Sequence, residues 1–192
     1  MTLPRPRPEL QIGANIRSLM EQLDSSDGVI RKDARESLVA LGRISASSLG
    51  KALRRSGSVQ LRWEAAKALG EIGDKRSIPV LVGALMDRDP DVAWLAAKGL
   101  ARYGITAWPP ILRALVKVGP DSALLRRGAH HVLVNQRREG LNGLLLALTK
   151  DLENNPVRES VTLDSYALLN RITQRRTQTQ HSIRTVANSH SI

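Results

Sequence analysis

The stretch that decides the fold runs from Leu61 to Gly104, LRWEAAKALGEIGDKRSIPVLVGALMDRDPDVAWLAAKGLARYG. Its two ends, Leu61 to Gly73 (LRWEAAKALGEIG) and Val92 to Gly104 (VAWLAAKGLARYG), are one segment written twice. Working outward at almost the same interval, the segment recurs before them as Ile30 to Gly42 (IRKDARESLVALG) and after them as Leu125 to Arg137 (LRRGAHHVLVNQR). A weaker fifth copy starts at Val157 (VRESVTLDSYALL). A period of this length is that of a helical-hairpin repeat. Within the second copy the apolar slots Leu61, Ala65, Ala68, Leu69 and Ile72 fall at i, i+4, i+7, i+8 and i+11, which lines one face of a helix. Ala34, Ala65, Ala96 and Ala129 recur in one slot, where a small side chain lets a neighbouring helix approach closely. Gly42, Gly73 and Gly104 stand where helix C-terminal glycines belong.

Another helix precedes each copy: Asn15 to Leu23, Ala46 to Arg55, Ile78 to Met86, Pro110 to Lys117 and Leu141 to Thr149. Pro79 and Pro110 suit a first helical turn, whose N–H groups have no intrahelical acceptor. The stretches between them, such as Asp24 to Gly28, Ser56 to Ser58 and Asp87 to Asp91, carry turn and cap residues. A single hairpin of this kind cannot cover its apolar face, so neighbours must stack. The expected fold is all-α, a right-handed α-α superhelix of about five helical hairpins.

The second and third copies with the helix between them resemble short HEAT repeats of the kind found in phycobilin lyase subunits and many bacterial proteins. The likeness is strongest over residues 30–104. It implies that the first helix of each pair lies on a convex side and the second lines a concave one, and it specifies fold rather than function. On that reading the concave slots hold Lys32, Trp63, Trp94 and Arg127, then Glu36, Lys67, Lys98 and His131, then Ala40, Glu71, Arg102 and Asn135. Two tryptophans flanked by cations match the composition of binding hot spots. The expected contact surface is therefore Trp63, Trp94, Lys67, Lys98, Arg102, Arg127 and His131; the alternative is that both tryptophans pack across repeat junctions.

Arg31, Arg62, Arg126 and Arg158 share the slot after the segment start, with Asp27 and Asp91 in nearby turns. An Arg–Asp ladder between consecutive turns is expected, since a guanidinium pairs carboxylates in a bidentate way. His130 and His131 point about 100° apart on a helix and His130 takes a half-buried packing slot, so no metal site is expected. Asp33, Glu36, Glu64 and Glu71 read as ordinary helix-surface charges. The His-Glu pairs of HEAT-type iron hydroxylases are missing, as is a catalytic acid of the sort that HEAT-type DNA glycosylases use. Without a phosphate loop, nucleophile elbow or paired carboxylates, the chain is expected to be no enzyme and to need no cofactor.

The chain has 192 residues, 29 basic against 18 acidic, a formal charge of +11, and no cysteine. Arg5 and Arg7 at the start, and Arg171, Arg175, Arg176 and Arg184 near the end, supply six of the eleven excess charges in segments without an acid. The expected layout is a basic Pro-rich arm over 1–14, a repeat domain over 15–170 and a basic polar tail over 171–192. Low apolar content makes that tail disordered on its own, and its arginines with those of the arm are candidate contacts to an acidic surface or to phosphates; simple solubility is the other reading. No secretory signal or membrane span is apparent, which with the missing cysteines points to the cytoplasm. The leading expectation is a scaffold or adaptor in a larger assembly, gripping a protein partner on its concave face. A nucleic-acid-binding module with a basic concave groove and basic tails is the alternative, and a phycobilin-lyase-like or chaperone subunit a third.

Overall fold

The computed structural model describes residues 8–118, 122–153 and 158–189, and its described elements are all helical. Ten α-helices follow one another: α1 (Pro8–Gln22), α2 (Gly28–Ala40), α3 (Arg43–Arg55), α4 (Val59–Ile72), α5 (Ile78–Ala84), α6 (Pro90–Ala101), α7 (Trp108–Val118), α8 (Ala123–Leu133), α9 (Asn142–Glu153) and α10 (Arg158–Ser189). They form two compact units, Met1–Tyr103 and Gly104–Ile192.

The first unit is a two-layer stack. α2, α4 and α6 pack side by side in one layer, α1, α3 and α5 in the other, and each hairpin closes through α1 on α2, α3 on α4 and α5 on α6. Caps and glycines punctuate it. Asp27, Ser58 and Asp89 accept hydrogen bonds from the first backbone N–H groups of α2, α4 and α6, each satisfying a donor that the helix leaves unpaired. Gly42 and Gly73 take φ of 58° and 69°, the left-handed region where a Cβ is penalised. The recurring alanines Ala34, Ala65 and Ala96 are fully buried. α4 meets α6 closely at Gly70 and Gly99: a Cβ on Gly70 would stand 2.9 Å from the Gly99 Cα. Only a missing side chain on both helices allows that separation.

In the second unit α8 packs on α9, while α10 packs on both α7 and α9. The buried stripe of α10 is Val161, Ser165, Leu168 and Ile172, an i, i+4, i+7, i+11 pattern. Trp108 opens α7 and is fully buried, ahead of the helix start expected at Pro110.

Three expectations need correction. Of the arm expected over 1–14, the residues from Pro8 onward are helix, the start of α1. The segment from Asn170 onward does not lack structure: α10 continues as a helix to Ser189. Thr173, Thr177 and Thr179 hydrogen-bond back to carbonyls in the preceding turn, so the hydroxyls join the helix ladder. Glu64 is no surface charge but is buried, as described below.

Candidate functional site

Trp63 is the fifth residue of α4 and Trp94 the fifth of α6, so two adjacent helices present tryptophan at the same register. Lys67 and Lys98 each follow one turn later. Their ammonium groups lie 5.1 Å from the Trp63 and Trp94 ring centroids respectively, within cation–π range and worth about 0.5–1 kcal/mol at exposed sites. Trp63 is half-buried, and it lines a groove of about 470 Å³ with Lys32, Gln60 and Asp91. Trp94 is 49% exposed. Arg102 caps the C-terminus of α6 and is exposed. Trp63, Lys67, Trp94, Lys98 and Arg102 thus all belong to the layer formed by α2, α4 and α6. Arg127 and His131 are exposed on α8, in the second unit, and His130 beside them is half-buried.

This face mixes charge. Lys32 and Glu36 pair at 3.9 Å across one turn of α2, and Glu71 lies 3.8 Å from Arg35. Beneath it the Arg35 guanidinium donates to Glu64 at 2.7 Å, both residues being buried. The Arg31 Nε lies 3.5 Å from the same carboxylate, an ion pair without a hydrogen bond. Glu64 therefore ties α2 to α4. The clue available in the sequence was that Arg35 follows Arg31 by one turn, two cations on one helix face aimed at a single position of the next repeat.

In the first unit the arginine slot works as a clamp; the Arg158 side chain of that slot lies outside the described residues. Arg31 donates to the Ser25 and Ser26 carbonyls, and Arg62 donates to those of Ser56 and Gly57, the same contact made again in the next repeat. Arg62 also reaches the following turn with a bidentate pair on Asp87, 2.8 and 2.9 Å. An Arg–Asp rung thus exists between Arg62 and Asp87. Asp27 is instead a cap for Val29, no ion pair to Asp91 occurs among the described residues, and Arg31 reaches across to a glutamate. Burial pushes the Asp87 carboxyl up, but the Arg62 hydrogen bonds, the Asp89 N–H and the charges of Arg62 and Arg88 outweigh it and hold the group below its usual range.

Of the expected terminal contacts, Arg5 and Arg7 lie outside the described residues, as do the side chains of Arg176 and Arg184. Arg171 is exposed on α10. Arg175 is half-buried and donates to the Glu139 carbonyl, lying over Gly140, whose φ is 68°. It anchors α10 to the turn before α9, and so is not available as a free charge.

Among the described residues no cluster of three His, Asp or Glu side chains could hold a metal, and no helix is long and apolar enough to cross a membrane. No match is found among curated proteins. A family model for HEAT repeats matches residues 46–134, from α3 through α8.

Proposed function

We propose that the chain is a non-catalytic scaffold or adaptor that grips a protein partner with the Trp–Lys face of α4 and α6. HEAT repeats commonly serve as protein-interaction scaffolds, and what carries the reading here is Trp94. It is a large aromatic, half exposed, with Lys98 over its ring. A cation-capped indole on a helix offers apolar area at low entropic cost, which is how interface energy concentrates in few residues. The mixed charge of this face suits a protein better than a phosphate backbone. Lys32 extends this face, Arg127 and His131 on the second unit are proposed as further partner contacts in their own right, and Arg5, Arg7, Arg171, Arg176 and Arg184 supply an electrostatic contact to an acidic surface of the assembly.

Tagged protein recovered from its own cells under nuclease treatment tests this. The wild type should bring down a defined protein that Trp94→Ala loses while helicity stays unchanged. Retention of that partner by Trp94→Ala would remove the face from consideration. A nucleic-acid-binding role is the second reading, favoured by the formal charge of +11. Its signature is an affinity falling steeply with salt as counterions are released.

A further inference from the structure

Between Glu36 and Glu64 the sequence contains no acid, while α3 in that interval carries Arg43, Lys51, Arg54 and Arg55. These lie in the layer of α1, α3 and α5, away from the Trp–Lys face. Lys51, Arg54 and Arg55 are exposed and make no ion pair among the described residues, and the same holds for Arg17 on α1. A groove of about 520 Å³ runs between α1 and α3. Ile16, Met20 and Ala52 form its apolar floor, and Arg17, Lys51 and Arg55 its rim. Gly13 opens one end, where an added Cβ would meet nothing within 4 Å. At Arg55 and Ser56 it adjoins a second groove of about 750 Å³, of mixed charge, that contains Arg54 and Arg88 with Asp87 and Asp89.

An apolar floor inside a rim of one sign selects its occupant by complementarity. A phosphate backbone would use the rim but waste the floor, and among the described residues no aromatic side chain lines the groove for bases to stack upon. An acidic amphipathic helix uses both, laying its apolar stripe on Ile16 and Met20 and its carboxylates against the three cations. We infer that the α1–α3 groove is a docking site for an acidic amphipathic segment of another protein. It is independent of the Trp–Lys face, so one partner can be held on each layer.

Fluorescence anisotropy on the full chain tests this with a labelled synthetic peptide bearing Leu at i, i+3, i+4 and i+7 and Glu elsewhere. Its Lys-for-Glu counterpart and a single-stranded oligonucleotide serve as comparators. The acidic peptide should bind at low salt. The Arg17→Glu/Lys51→Glu/Arg55→Glu variant, altered only at exposed positions, should weaken it by about tenfold or more, one decade being about 1.4 kcal/mol. Gly13→Trp, which fills the groove without touching a charge, should weaken it as well, and Trp94→Ala should not. Equal binding by the charge-reversed variant, by Gly13→Trp or of the lysine peptide would overturn the docking site. So would an oligonucleotide that binds more tightly and displaces the peptide.

Discussion

At Glu64 a carboxylate that would lose its hydration on burial is met by the Arg35 and Arg31 guanidiniums, with Gln60 donating at 3.5 Å. Such a pair adds little net stability over apolar residues of the same shape, yet removing one partner strands a buried charge. Glu64→Ala should therefore cost about 3–5 kcal/mol, read as a lowered urea midpoint. The double replacement Arg35→Met/Glu64→Leu should recover most of that loss. The two tryptophans separate by the same kind of reasoning. Trp94→Ala, at a 49% exposed site, should cost about 0.5–1 kcal/mol, the cation–π contact with Lys98. Trp63→Ala, at a half-buried site, should cost several times as much. Thermal unfolding of the two variants checks this ordering, and equal large losses would mean that Trp94 too serves packing.

At the scale of elements, the spacing that made the helices legible did not locate the close approach of α4 and α6 at Gly70 and Gly99. Gly70 and Gly99 belong to the repeated segments, but they do not share a slot, so a slot-by-slot reading passed over them. They meet because α4 and α6 cross, and a crossing point depends on the angle between helices, which periodicity does not encode. Gly70→Ala should destabilise the first unit by about 1–3 kcal/mol, because backbone rather than a flexible side chain faces the new methyl. Hydrogen exchange should show the loss as reduced protection in α4 and α6 together. Partners of charged residues were harder still to read. The clamp arginines stood out by their recurrence, but Arg62 chose Asp87 because Asp27 and Asp91 lie at helix starts, where capping and the dipole use the carboxylate. The cations of α3 disappear in a charge total taken by region, since their grouping on one helix layer becomes visible only with the stack assembled. α10 misled in the opposite direction: its polar composition resembles a disordered chain, but a stripe of four buried residues and the Arg175 anchor start a helix that then continues.

On the scale of the whole molecule, the two units carry acids displaced in opposite senses. Asp87 in the first unit is held below its ordinary range, because its contacts with Arg62, the Asp89 N–H and Arg88 outweigh the burial that pushes it up. Asp164 in the second is pushed up, by burial and then by the charge of Asp151. Linkage gives these opposite consequences. The unfolded chain binds a proton near pH 4, before folded Asp87 does, so the Asp87 contribution is complete above that pH and disappears as acid titrates the folded carboxyl. Folded Asp164 binds its proton before the unfolded chain does, so the second unit gains stability as pH falls toward 4. Asp87→Asn should accordingly lower the protection of α4 amides at pH 6 and match wild type once pH falls below the folded Asp87 range. Asp164→Asn should raise the protection of α10 amides at pH 6, the advantage vanishing near pH 4. Hydrogen exchange corrected for intrinsic rates reads both units in one sample. A common sign for the two variants at pH 6 would show that the local surroundings of these carboxylates do not govern how each unit answers acid.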